Sequence, residues 1–493
     1  MTEYAPTIDQ VRELAEKGYN LVPVYKEVLA DLETPVSAYL KIAQGSKNKN
    51  SFLLESAEGG ERLARYSFMG TDPYKILKAG STSQGVDPLS ELEVELTQFR
   101  LAENSALPPF VGGAVGFLSY EGIRNFEPTV RIVDKGGYSA PEAVFMLTDS
   151  LLIFDHVTHK IKVIALARIE NVAIEDAYNQ AIERINELIG RLNNPLPPGE
   201  NLISTGLDIN SQIADFSNDS NKTADEYHEM VKRAKEYITA GDIIQVVPSQ
   251  RLAIEVKSAP FDFYRSLRAV NPSPYMYFLQ LDEMAIVGAS PEMLVRAEEG
   301  MVETHPIAGT RRRGETAVED KALEQELLQD EKEIAEHVML LDLGRNDIGR
   351  VSQPGTVEVT AMLEIEKYSH VMHLVSHVKG KLRVGMTCFD ALRACFPAGT
   401  VSGAPKIRAM QIISELEMEA RGVYAGAVGY FSYSGNMDTA IAIRTMVIKD
   451  GTAYVQAGGG VVFDSDPEFE RQESFHKMNA LLRVIALAEQ QSQ

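Results

Sequence analysis

Short β-rich runs and long amphipathic helices follow one another along this chain without the even strand, helix, strand rhythm that a doubly wound parallel sheet requires. Runs at 51–54, 144–154 and 162–167 come in succession, and only then does a 3.6-residue apolar spacing predict a helix over 174–188. Further on, Thr223 and Glu226 form a capping box for a helix that Gly241 closes, and a strand over 243–250 follows at once. Such an order favours an α+β or mixed-sheet architecture.

The clearest interruption lies between Gly190 and Lys222. There Asn193-Asn194-Pro195-Leu196-Pro197-Pro198-Gly199 is followed by a polar stretch rich in Asn, Ser and Asp, which reads as an inter-domain connection. The expected organisation is an N-terminal region over 1–190, a linker over 191–222 and a C-terminal domain over 223–493. One echo crosses the break: Gly113-Ala114-Val115-Gly116-Phe117-Leu118-Ser119-Tyr120 matches Gly426-Ala427-Val428-Gly429-Tyr430-Phe431-Ser432-Tyr433 at six of eight positions. Their glycines permit close backbone approach, so the two either take comparable places in two facing sheets or coincide as small-residue strands, since the match does not grow into a repeat.

Charge narrows the function classes. Lys and Arg total 48 against 70 Asp and Glu, a formal charge of −22, which opposes a nucleic-acid binder because phosphate recognition needs a basic surface. An anionic small substrate stays open, since screening over ~8 Å leaves local groups to decide what enters a pocket. No run approaches the ~18 apolar residues of a membrane span, and Glu3, Asp9, Arg12 and Glu13 leave no space for an apolar signal core. Cys388 and Cys395, the only cysteines, make neither a disulfide framework nor a Cys-x-x-Cys, so a reducing, cytoplasmic location is expected.

Candidates for chemistry begin with acids. A helix predicted over 321–342 places Leu327, Ile334, Val338 and Leu341 on an apolar stripe, with Glu333 and Glu336 one turn apart beside it. Near the C-terminus Asp466 caps a helix with Pro467 at its first position, and Glu470, Glu473 and Lys477 share one face. Either pair alone is more often a solvated helix face. Two pairs facing one pocket would suit Mg²⁺, which takes a few carboxylates, keeps waters and leaves positions for an anionic ligand.

Ala457-Gly458-Gly459-Gly460, read as a turn just before that helix, offers backbone N–H groups to an anion, and Arg444 in a strand-like run over 439–448 can grip a carboxylate. Their bland alternatives are a tight turn and a surface ion pair. His370, His373 and His377 fall at helical spacing but lack the His-Glu-x-x-His arrangement of a zinc site, and a single acid–base histidine needs less to be true. The two cysteines read as core residues.

The order of motifs then becomes specific. Pro306-Ile307-Ala308-Gly309-Thr310, Asp342-Leu343-Gly344-Arg345-Asn346-Asp347, Pro397-Ala398-Gly399-Thr400-Val401-Ser402-Gly403-Ala404-Pro405-Lys406 and the stretch from Ala457 to Glu473 resemble the chorismate-utilising enzymes, over about 224–493. Leu53-Leu54-Glu55-Ser56 and Asn271-Pro272-Ser273-Pro274-Tyr275-Met276 resemble the large, synthase-subunit family of anthranilate synthases, extending the likeness to nearly the whole chain. The resemblance implies an α+β fold of mixed or antiparallel β-sheets packed face to face with helices outside, the N-terminal part completing the same core. It also implies the first step of tryptophan biosynthesis, in which chorismate and ammonia give anthranilate and pyruvate.

Residue by residue, the resemblance implies Mg²⁺ held through Glu333, Glu336, Glu470 and Glu473. Glu292 is the expected acid for departure of the C4 hydroxyl, and His373 assists loss of pyruvate. Gly309, Thr310, Thr400, Tyr424, Arg444, Gly458, Gly460 and Lys477 are expected around the substrate. Gln245 stands where relatives that add water carry a lysine, and an amide is a poor base for water, whereas ammonia needs less activation. Ala308 stands where many aminodeoxychorismate synthases carry an attacking lysine, and it offers no nucleophile.

No cysteine here has the setting of a glutaminase, so the resemblance implies ammonia from glutamine through a separate glutamine amidotransferase subunit, in a heterotetramer of two large and two small subunits. Leu54, Glu55, Ser56, Pro274, Tyr275 and Met276 resemble a site where tryptophan inhibits. Their bland alternative is a strand edge with a proline-fixed turn. Aminodeoxychorismate-type amination and a non-catalytic amino-acid sensor are the alternatives. The chain contains no Trp, which would let an enzyme that starts tryptophan synthesis be made when tryptophan is scarce.

Overall fold

A computed structural model describes residues 4–56, 65–79, 87–132, 136–170, 172–197, 216, 219–368 and 371–491. Among those residues are two ten-stranded sheets and a two-stranded ribbon, with antiparallel pairing between neighbouring strands. Large side chains from both sheets, among them Phe52, Phe117, Tyr277, Ile286, Val295 and Val428, form one buried layer between the facing surfaces. Leu53, Phe278, Val287 and Val455 point the other way, into a second layer that includes Tyr264 from the helix Pro260–Val270 and Leu481 from Pro467–Gln491. Alternate residues of the first sheet therefore enter different cores, so its strands are apolar on both faces and read as continuous runs.

Residues before and after the 191–222 stretch interleave in space. In one sheet Ser51–Glu55 pairs with Tyr275–Gln280; in the other Gly113–Leu118 pairs with Ala427–Ser432. Most of that stretch, 198–215 and 217–218, lies outside the described residues.

The echoing segments are thus direct neighbours in the same sheet and not counterparts in facing sheets. Gly116 lies opposite Gly429. A Cβ on Gly116 would come within 1.9 Å of the Val144 carbonyl oxygen, and one on Gly429 within 2.0 Å of that of Asp438. Glycine at both positions lets adjacent strands close without backbone collision.

Several predicted elements are divided. The run 144–154 is two strands: Ala143–Thr148 belongs to one sheet and Ser150–Asp155 to the other, with Asp149 at the crossing held by Arg184 at 2.5 Å. The expected 243–250 strand is Gln245–Val246 followed by Ser249–Glu255, separated at Val247 and Pro248, where proline has no N–H for a ladder. The 321–342 helix is two, Ala317–Leu327 and Glu331–Val351. Asp330 caps the second by accepting from the N–H groups of Lys332 and Glu333, and Val338, assigned to the apolar stripe, is 41% exposed. The 174–188 helix runs on to Leu192. Thr223, Glu226 and Gly241 cap their helix as expected, with Gly241 left-handed at φ 84°.

Candidate active site

The four glutamates come from two helices that the fold brings to one place. Glu333 and Glu336 lie in the first two turns of Glu331–Val351, while Glu470 and Glu473 lie in those of Pro467–Gln491. Between them runs 458–460. Contrary to the sequence reading, Gly458 ends the strand Thr452–Gly458, and the helix begins only at Pro467. The glycines matter as space: a Cβ on Gly459 would lie 2.5 Å from Glu470 Oε2, and one on Gly460 2.5 Å from the Gln245 side-chain nitrogen. Gln245, 2% exposed, donates its amide to Glu336 Oε1 at 2.9 Å.

The electrostatics of these acids bear on the expected cation site. Burial, and then the charge of Glu336, raise Glu333, although Arg311 shares its carboxylate at 3.4 Å. Burial also raises Glu470, whose Oε1 accepts from Ser465 at 2.7 Å while Oε2 is buried without a hydrogen-bond partner. Glu473 is held low despite burial by Lys477, 3.0 Å away, with Lys332 contributing from the other acidic helix. Among the described residues no three His, Cys, Asp or Glu groups close on a point. Acids arriving in pairs, with an orphaned carboxylate oxygen, fit a hard ion that keeps much of its coordination for water and substrate oxygens.

Beside the acids stand the acid–base candidates. Glu292 is 7% exposed, and burial pushes its carboxyl up to about 8 against the opposing influence of Thr400 and Lys477. The buried Thr400 hydroxyl makes no hydrogen bond of normal geometry. Lys477 also donates to the Gly458 carbonyl at 3.0 Å, and Tyr424, raised to about 12 by burial, lies against the Gly458 backbone.

His373 and His377 belong to the strand Val371–Lys381 and not to a helix; His370 lies outside the described residues. His373 is 5% exposed, with Nδ1 2.9 Å from the Gly309 carbonyl and 3.1 Å from the Thr310 hydroxyl. Burial lowers it, and the nearby Arg444 charge lowers it further. Gly309 has φ 66° at a register shift in the strand Ile307–Arg312, and a Cβ there would come within 3.2 Å of Glu333, so this irregular strand position links the histidine to the acids.

Arg444 does not sit in a continuous strand. It lies between Met437–Ile441 and Thr445–Lys449 at φ 48°, and its cation is desolvated with no ion pair among the described residues. A desolvated guanidinium beside a buried histidine is suited to an anionic ligand. The cysteines are buried free thiols; burial pushes Cys388 up to about 12 and raises Cys395 as well, which makes both poor nucleophiles.

A second cavity lies between the sheets. Leu54, Glu55, Ser56, Pro274, Tyr275 and Met276 all line it, joined by Arg296, Tyr430 and Asp438. Arg296 pairs with Asp438 at 2.8 Å, and Tyr275 donates to the same carboxylate at 3.1 Å.

Sequence reasoning missed the polar support behind these groups: Arg421 and Glu417, 1% and 4% exposed, and Glu121. Only the i, i+4 spacing of Glu417 and Arg421 hinted at a pair, and that spacing is common on solvated helices.

The sequence profile of the chorismate binding enzyme family matches residues 49–483. Anthranilate synthase component 1 of Pseudomonas putida is 47% identical over 499 residues, covering 98% of this chain and 99% of that protein. The protein of the same name from Acetivibrio thermocellus is 48% identical, with 98% of each chain covered. Among solved structures, anthranilate synthase component I from Streptococcus pneumoniae TIGR4 matches with a TM-score of 0.76 at 40% identity, covering 92% of this chain and 99% of that one. The menaquinone-specific isochorismate synthase MenF from Escherichia coli matches at 0.70 with 18% identity, over 97% of this chain and 98% of that one, a likeness of fold.

Proposed function

The chain belongs to the chorismate binding enzyme family, and we propose that it is the large subunit of an anthranilate synthase, turning chorismate and ammonia into anthranilate, pyruvate and water. The observation that carries this reading is that Glu336, Glu470 and Glu473 meet at 459–460, where Lys477, which also faces Glu292, binds the Gly458 carbonyl, while His373 lies on Gly309 beside Glu333 and faces Arg444. Full-length likeness to anthranilate synthase components supports it.

Arg444, with Tyr424, Thr400, Gly309, Thr310 and the 458–460 backbone, holds the substrate carboxylates, and Lys477 adds a nearby cation. Glu292 keeps its proton near neutrality and gives it to the C4 hydroxyl, which leaves as water while ammonia adds at C2. His373 donates Nδ1–H to Gly309, leaving Nε2 as a base for the C2 proton as pyruvate departs and the ring becomes aromatic. Gln245 orients Glu336 and is too weak a base to recruit water. Glu333, Glu336, Glu470 and Glu473 would hold Mg²⁺, which neutralises and orients a substrate carboxylate when bound.

Glutamine serves only through a separate amidotransferase subunit, in an assembly of two large and two small subunits. The inter-sheet cavity binds tryptophan as inhibitor, and the two unpaired cysteines suit a cytoplasmic setting. Among the described residues no helix is long and apolar enough to cross a membrane.

Incubating the purified chain with chorismate, ammonium and Mg²⁺ tests the proposal. Fluorescent anthranilate is expected with ammonium, and with glutamine only after a partner is added. A product with the mass of aminodeoxychorismate, or no product from folded, metal-replete protein, overturns it.

A further inference from the structure

Behind the pocket wall lies an arginine that faces no solvent and none of the acids just described. The Arg421 side chain is 1% exposed, and its three nitrogens are all engaged. Nε donates to Glu417 Oε2 at 2.9 Å, one terminal nitrogen to the Val401 carbonyl at 2.8 Å, and the other to Glu417 Oε1 at 2.6 Å and the Val247 carbonyl at 2.7 Å. Glu417 Oε1 also accepts from the Ser249 N–H and hydroxyl, each at 2.8 Å.

Those partners come from separate stretches of chain that each carry a residue of the proposed site. Val247 lies two residues beyond Gln245; Val401 follows Thr400; Ser249 is the register partner of Gly458; Tyr424 follows Arg421 by three residues. Glu121 completes the arrangement from behind, accepting from the Arg421 and Gly422 N–H groups at 2.7 and 3.0 Å.

We infer that Arg421 is a positioning residue of the reaction: seated on Glu417, its planar fork sets the distances between the backbones that present Thr400, Tyr424 and Gly458 to the substrate and Gln245 to Glu336. Only a guanidinium can do this here. Its donors leave in fixed coplanar directions, so two carbonyls and a carboxylate are held at once, whereas an ammonium has three donors and no plane. A buried ion pair contributes little net stability compared with an apolar pair of equal shape, but its geometry is exacting, and a misplacement of about 1 Å at reacting groups costs on the order of 10²-fold in rate.

The inference rests on the proposed reading of those four residues as pocket-forming. The test is Arg421→Lys in the full chain, assayed with chorismate, ammonium and Mg²⁺ beside the wild type, with thermal melting and circular dichroism to measure the folded fraction. Expected is a cooperative melt, a fall of roughly 10²-fold in kcat per folded molecule at saturating Mg²⁺ and a raised KM for chorismate. A structural role alone would lower the melting temperature and leave kcat and KM per folded molecule at wild-type values, and that result overturns the inference.

If Arg421→Lys does not fold, Glu417→Asp, which keeps both charges and withdraws the seat by one carbon, is read the same way. Failure of both to fold makes the pair a folding requirement and also overturns it. A wild-type chain that makes no anthranilate brings down the functional reading and this inference together, whereas an active wild type with an equally active variant brings down the inference alone.

Discussion

The Nδ1 atom of His373 lies 2.9 Å from the carbonyl oxygen of Gly309. A carbonyl can only accept, so the imidazole proton sits on Nδ1 and the lone pair on Nε2. Burial holds the ring below the ordinary histidine range, and Arg444 opposes a second proton. The fold thus sets a buried imidazole of fixed tautomer near a guanidinium that has no ion pair among the described residues.

His373→Ala should reduce kcat by roughly 10²-fold or more, the usual contribution of a positioned general base, with a smaller change in KM for chorismate. In the wild type the acid limb of kcat should fall below pH 6.5, the ordinary value from which this group is lowered. Folding stability follows the same sign. The unfolded chain binds the proton more readily, so this group's contribution is present above pH 6.5 and is lost as pH falls toward its lower folded value. A pH–rate profile and a melting series from pH 7 to 5 check both.

Glu292 reverses that sign. Its folded carboxyl is pushed from 4.5 up to about 8, so the native state holds a proton that the unfolded chain has released, and stability declines as pH rises from 4.5 through about 8. Glu292→Gln keeps the shape and removes this penalty. The variant is expected to melt above the wild type at pH 8 while losing roughly 10²-fold or more in kcat. Equal melting temperatures at pH 8 would contradict the assigned burial.

Glu336→Gln and Glu473→Gln should each abolish Mg²⁺-dependent turnover and leave the melt cooperative, since neither carboxylate is buried in a core layer. Calorimetric titration with Mg²⁺ checks the assignment without turnover. Normal binding in both variants would remove these residues from the cation site.

Ser56→Phe fills the inter-sheet cavity beside Tyr275 and Met276. It should relieve tryptophan inhibition while retaining anthranilate formation. Because the chain has no Trp, bound tryptophan supplies the only indole, and its fluorescence gives a direct binding isotherm in wild type and variant. Unchanged inhibition in Ser56→Phe would remove the cavity from regulation.

Local sequence determined what neighbours within a turn or two can enforce. The Thr223–Glu226 box, the Asp466 cap, and the placing of Glu333 with Glu336 and of Glu470 with Glu473 on single helix faces all follow from spacing and appear as read. Even spacing was ambiguous for His373 and His377, because residues four apart share a face on a strand as on a helix, and only partner strands made it a strand.

Tertiary structure decided everything set by chain segments distant in sequence. It paired Gly116 with Gly429 across the two halves and turned Arg444 to φ 48° between two strands. It also fixed the His373 tautomer through Gly309 and buried Arg421 among backbones the sequence keeps far apart. Those outcomes depend on desolvation and on long-range hydrogen bonds, which neighbours along the chain cannot supply.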